Sequence, residues 1–292
     1  LSGIGRLLAG LTKIALYRKG LMPRINCPEF EDQTWFPNLL RNMLTDYLQF
    51  IYFKSGIFDP LLPLLKRALA ETGSGRLVDL CSGGGGPVPY LQQRLAAEGV
   101  TIEATLTDKF PNLVAFRRIC GAAGGQLTFV EDSVDASAVP DGLTGFRTLF
   151  TAFHHLPPAL AQKVLSDAVN SRQGIGVFEV NERSPAAFFF NLLTPIFVLL
   201  STPFIQPRRW RRFLLTYVLP VVPLVTMWDG IASNLRTYSL KELEQMTAAL
   251  PAAPGAYSWE MGHIRARSGR RITYLIGLPQ TPGRLIQGEA DM

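Results

Sequence analysis

Leu77-Val78-Asp79-Leu80-Cys81-Ser82-Gly83-Gly84-Gly85-Gly86-Pro87 joins a buried-strand pattern to a turn without side chains and then to a helix start. Consecutive glycines let the backbone take positive φ and approach a ligand closely, and proline suits a first helical position, where its missing N–H costs nothing. The stretch therefore reads as a cradle for a small molecule. A phosphate-binding P-loop needs Lys followed by Ser or Thr after its last glycine, and Pro87-Val88 stand there instead. The dinucleotide pattern G-x-G-x-x-G is met loosely, with Gly83 and Gly85 in place and Val88 at the third position.

One helix and one strand further on, Thr105-Leu106-Thr107-Asp108-Lys109 ends a strand in an acid, at a distance from the glycines suited to ribose hydroxyls. Phe129-Val130-Glu131-Asp132-Ser133 and Phe150-Thr151-Ala152-Phe153-His154-His155-Leu156-Pro157 read as later strand ends. Over roughly residues 74 to 182 the chain resembles the class I S-adenosylmethionine-dependent methyltransferases. Val78 to Gly86 matches their first motif, Asp108 their ribose-binding acid, and Asp132 the acid facing the adenine amino group. The resemblance implies S-adenosylmethionine as cofactor. It places Asp79, Cys81, Gly83, Gly84, Gly85, Asp108, Lys109, Asp132, Ser133, Thr151 and Phe153 around it, with Cys81 a small residue packing under the ligand.

The strand and helix patterns predict an α/β fold: a doubly wound, mostly parallel seven-stranded sheet with an antiparallel C-terminal hairpin and an apolar helical insertion. Strands are expected near 76–81, 102–107, 127–130, 146–151, 174–180, 256–266 and 271–278, the last two joined by Arg267-Ser268-Gly269-Arg270. Helices are expected near 87–98, 110–122 and 158–171, and Ser239-Leu240-Lys241-Glu242 is a capping-box start. Residues 74–183 and 236–280 form the expected methyltransferase domain, behind an N-terminal segment or cap over 1–73. The apolar insertion covers 184–235, and 281–292 is a tail. Within 1–22, Ile4, Leu7, Leu8, Leu11 and Ile14 recur at helical spacing among basic residues, as in a basic amphipathic helix. Trp35, Phe36, Asp46 and Tyr47 line a pocket or form an aromatic packing face.

Nearly half of the chain is apolar, so core size is not limiting. Its three cysteines show no paired spacing and point to a reducing, cytoplasmic compartment. Of the basic clusters, Arg265, Arg267, Arg270 and Arg271 flank a turn and read as a solvated hairpin tip. Arg208, Arg209, Arg211 and Arg212 surround Trp210 between apolar runs, which suits an anionic membrane surface better than nucleic acid. Ala186 to Ile205 carries no charge over nearly the ~20 residues that span a bilayer, and Phe213 to Trp228 is a shorter run broken by Pro220 and Pro223. A spanning pair would put the arginines on the far side, against the positive-inside tendency. A helical pair lying in the cytoplasmic leaflet is preferred, with a buried cap or a homo-oligomer interface as the other readings.

Methyl transfer needs alignment of donor and acceptor and, for a hydroxyl or protonated amine, a base. His154 and His155 occupy the loop where that base is expected, and Glu179 ends the fifth strand on the same ligand-binding edge. No metal is expected, since there are only three histidines and the adjacent pair is not spaced as helix-face ligands. The sequence thus reads as an S-adenosylmethionine-dependent methyltransferase of a lipophilic acceptor. The rival readings are a membrane scaffold that retains the fold without turnover and a nicotinamide-dependent reductase.

Overall fold

The computed structural model describes residues 23–250 and 256–280. The expected helix in 1–22 and the tail 281–292 lie outside them. The chain divides into two compact units: the chain up to Leu44 with Asn181–Ser239, and Thr45–Val180 with the chain from Leu240 onward.

The second unit holds the sheet. Its strands are β1 (Arg76–Asp79), β2 (Glu103–Leu106), β3 (Leu127–Phe129), β4 (Phe146–Phe150), β5 (Ile175–Glu179), β6 (Tyr257–Arg265) and β7 (Arg271–Pro279). They lie in the order β3-β2-β1-β4-β5-β7-β6. The first five pair in parallel, with Val78 of β1 opposite Thr105 of β2 on one side and Arg147 of β4 on the other. β7 runs antiparallel between β5 and β6, as the final hairpin requires. The strand order reverses between β1 and β4, so loops leaving their carboxyl ends border the crevice where open α/β sheets bind ligands.

Helices α1 (Asn38–Ser55), α2 (Leu62–Thr72), α3 (Val88–Ala97), α4 (Leu113–Gly121) and α5 (Pro158–Asn170) precede β5 in sequence. The boundaries follow local chemistry. α2 stops where Gly73 takes a left-handed C-cap, and α4 starts later than expected because the Asn112 side chain caps the Ala115 N–H at 3.2 Å. α3 begins at Val88, one residue beyond the expected Pro87. β1 and β4 end early because Cys81 and Thr151 turn to φ of 58° and 49°, which no strand accommodates. Under the sheet, Phe58, Leu61, Leu65, Leu77, Phe116, Phe146, Phe178 and Ile272 join one buried core. An aromatic series runs through it, with ring centroids 5.1 Å apart for Tyr52–Phe58, 5.5 Å for Phe58–Phe150 and 5.1 Å for the stacked Phe150–Phe178.

In the first unit, the expected helical pair is a set of shorter pieces. α6 (Pro185–Leu192) and α7 (Thr194–Ser201) are separated at Leu193, because Pro195 in the first turn of α7 cannot donate back along a continuous helix. α8 (Trp210–Phe213) passes into a π-helical turn over Leu214–Val218, and α9 (Val221–Arg236) begins after Pro220. The bends are 43° at the first break and 76° at the second. No single helix among the described residues is long and apolar enough to cross a membrane. Residues 24–32 are strapped to α9. Asp229 accepts the Phe30 N–H at 2.8 Å, the Ile25 N–H donates to the Leu235 carbonyl at 2.9 Å, and buried Arg236 pairs with Glu29 and Asp32. Phe36 is buried, whereas Trp35 is exposed and meets Phe30 edge-on. α10 (Leu240–Ala248) returns the chain to the sheet unit directly after Ser239.

Candidate active site

The loop after β1 is held from below. Asp79 is buried; one carboxylate oxygen accepts the Ser82 hydroxyl at 2.7 Å and the other the Thr148 hydroxyl at 2.7 Å. Its backbone carbonyl accepts the Thr107 N–H at 2.9 Å and the Thr107 hydroxyl at 2.8 Å. Burial pushes the Asp79 carboxyl up to about 7, the two hydroxyl donors opposing only part of that shift. Asp79 thus fixes where the glycine loop starts. Cys81 sits directly above in a left-handed backbone conformation, and burial, followed by the nearby Asp108 and Asp79 charges, pushes its thiol pKa well up. A neutral thiol suits packing and not nucleophilic attack.

In the loop, Gly83, Gly85 and Gly86 have positive φ. A Cβ on Gly85 would stand 2.6 Å from Ile119 Cδ1, and one on Gly84 would stand 3.0 Å from Thr45 Cβ. Backbone angle thus calls for glycine at Gly83, Gly85 and Gly86, and at Gly84 the limit is the closeness of Thr45, while Gly83 has open space around it.

Asp108, at the end of β2, points both oxygens at backbone donors, the Gly83 N–H at 2.8 Å and the Phe110 N–H at 2.8 Å. Anchored in this way, the carboxylate retains lone pairs for a vicinal diol. The loop after β3 closes on this corner. The Val134 N–H donates to the Asp108 carbonyl at 2.9 Å and the Ser133 hydroxyl to the Lys109 carbonyl at 2.7 Å. Lys109 reaches Asp135 at 2.8 Å, and that hydrogen bond, joined by two from Ser137, holds the Asp135 carboxyl down at about 2. Asp132 is exposed.

At the end of β4, Thr151 Oγ1 lies 3.1 Å from the Tyr52 hydroxyl, Phe153 is fully buried and His154 is nearly so. Glu179 grips His154 twice: one oxygen accepts its backbone N–H at 3.0 Å and the other lies 2.8 Å from Nδ1. A carboxylate at Nδ1 requires the proton there and leaves Nε2 as the basic nitrogen. The His155 ring is partly exposed, with its centroid 4.3 Å from that of His154. The structure thus brings His154, His155 and Glu179 together, and separately groups Asp79, the glycines and Asp108. Of the expected pocket residues, Asp46 pairs with Arg118 at 3.0 Å, and Tyr47 is buried with its hydroxyl pushed up to about 12 by burial.

Two groups of residues were not singled out from sequence. Thr45, Gln49 and Tyr52, one helical face of α1, meet the site: Thr45 lies against Gly84, Gln49 Nε2 donates to the Gly84 carbonyl at 3.4 Å, and Tyr52 meets Thr151. Their i, i+4, i+7 spacing was the available signal, but it does not say what the face touches. Phe110, 79% exposed beside Asp108, offers a bare aromatic surface at this corner.

No family model and no curated protein matches this chain. Among solved structures, it is similar to an O-methyltransferase family 2 protein from Planctomyces limnophilus in complex with apigenin. That match has a TM-score of 0.50 and 13% identity, over 85% of this chain and 63% of that one. PigF with SAH matches at 0.49 and 17% identity, over 85% and 63%. A putative Zn-dependent alcohol dehydrogenase from Rhodobacter sphaeroides matches at 0.48 and 11% identity, over 83% and 98%. The chain spans 55–63% of the length of several of the solved chains that it matches. Strand order, the antiparallel β7 and the first of these likenesses define the fold: it is that of the class I S-adenosylmethionine-dependent methyltransferases.

Proposed function

We propose that this chain is an S-adenosylmethionine-dependent methyltransferase acting on a lipophilic, membrane-proximal acceptor from the cytoplasmic side. The observation that carries the cofactor assignment is Asp108, oriented by the Gly83 and Phe110 N–H groups beside a glycine loop in which Gly83, Gly85 and Gly86 take positive φ. These residues fit an adenosine: Asp108 for the ribose diol, Phe110 for the adenine face, and the backbone of Gly83 to Gly85 for close approach. The cofactor, when bound, supplies a methyl group on an already activated sulfonium leaving group.

The chain's own residues then have limited tasks. Asp79 keeps the loop in shape, and the α1 face covers it. His155, the accessible imidazole, takes the acceptor's proton, while the His154–Glu179 pair backs it in a fixed orientation. The lipophilic acceptor is inferred from the segment downstream of Glu179, Pro185 to Trp228, which is rich in exposed apolar side chains and contains no acid. The likeness to a protein described in complex with apigenin supports this reading.

Calorimetry with S-adenosylhomocysteine tests the assignment. Wild type is expected to bind, and Asp108→Ala is expected to lose at least about 100-fold in affinity, as for two charge-assisted hydrogen bonds. Normal affinity in that variant removes the cofactor assignment. Labelled S-adenosylmethionine added to a lipid extract, followed by mass spectrometry, identifies the acceptor. A scaffold without turnover would bind the cofactor and label nothing.

A further inference from the structure

The segment between α6 and α9 carries a combination that a packed protein core does not need. Leu200, Phe204 and Val218 are each about two-thirds exposed, with Phe189, Ile196, Leu219 and Leu224 also open. At the junction of the two bent helix pairs stand Arg208, Arg209 and Arg211, all exposed, and Trp210 at 70% exposure with the Arg211 guanidinium 5.5 Å from its ring centroid. Arg212 is different: it is buried, and its guanidinium donates to the carbonyls of Ile205 and Pro207 at 3.3 and 2.9 Å. One arginine thus shapes the junction while three face outward.

We infer that this junction docks on an anionic lipid bilayer, with Arg208, Arg209 and Arg211 at the headgroups, Trp210 at the interface and the neighbouring apolar side chains in the acyl boundary. Charge selects this occupant. From residue 185 to residue 228 no Asp or Glu offsets the arginines, and a second copy using the same face would bring two such clusters together. The breaks of 43° and 76° leave neither pair a straight span, and a crossing pair would carry the arginines to the far side, so the helices are placed in one leaflet. This docking names the surface that the lipophilic-acceptor reading invokes, but it is measured without cofactor or turnover, so either can fail alone.

The test uses the full chain with vesicles of phosphatidylcholine alone and vesicles of phosphatidylcholine mixed with phosphatidylglycerol, read by co-sedimentation. Wild type is expected to bind the mixed vesicles preferentially, and less at high salt. Arg208→Ala/Arg209→Ala/Arg211→Ala is expected to bind them about 100-fold more weakly. Leu200→Ser/Phe204→Ser is expected to weaken binding at fixed charge. All of these positions are exposed, and circular dichroism checks that the variants fold. Equal binding to both vesicle types, unchanged binding of the triple variant, or no vesicle binding overturns the proposal. A dimer that the Leu200/Phe204 variant dissociates, without lipid binding, overturns it in favour of a second copy.

Discussion

Cys81 holds a φ of 58° in the turn that launches the glycine loop, a conformation that costs a residue with a Cβ about 1–2 kcal/mol. Replacing it by Val adds branching at Cβ, and Cys81→Val is expected to lose about 1–3 kcal/mol in urea unfolding, whereas Cys81→Gly folds normally. Two residues earlier, Asp79 couples the same turn to pH. Its folded-state pKa of about 7 lies above that of an unfolded aspartate, so between about pH 4 and 7 the folded state binds more protons than the unfolded state. Its contribution to stability is therefore fully present at low pH and falls as pH rises, by at most about 1.4 kcal/mol per pH unit. Asp79→Asn is expected to remove that slope. Urea midpoints at pH 5 and pH 8 that shift identically in wild type and variant would refute it.

Among the elements, α1 does most to complete the site. Its Tyr52 hydroxyl meets Thr151, another residue with positive φ, so Tyr52→Phe leaves the ring packed on Phe58 while freeing the strained turn. Expected results are a loss of about 1 kcal/mol in stability and a several-fold weaker S-adenosylhomocysteine affinity by calorimetry. The contrast between α1 and the glycine loop explains what sequence reading reaches. The turn at Gly83 to Gly86 was legible because backbone angle restricts residue type locally, and the approach of Asp108 to Gly83 because one helix and one strand set the distance between them. The partnership of Thr45 and Gln49 with Gly84 was not, since it depends on how α1 packs. The insertion shows the same limit. Its apolar character was plain, but the break at Leu193 came from Pro195, and the second break fell at Leu219–Pro220, while Pro223 was absorbed into the first turn of α9, where its missing N–H costs little.

At the scale of the molecule, cofactor binding and folding are linked. A ligand that binds only the folded sheet unit, present at about 100 times its Kd, adds about 2.7 kcal/mol, so S-adenosylhomocysteine is expected to raise the thermal midpoint by several degrees. Asp108→Ala is expected to show no such rise. The pairing of β7 with β5 gives the chain a further property, concerning the order of its own synthesis. β5 has one neighbour, β4, until β7 arrives from near the end of the described chain, and everything from α6 to α10 is made in the interval. On the ribosome, the apolar helices and their arginines emerge while one long side of β5 is still open. A nascent chain would thus present its apolar segment before its sheet is complete, and the last of the described strands, β7, is the one that closes it.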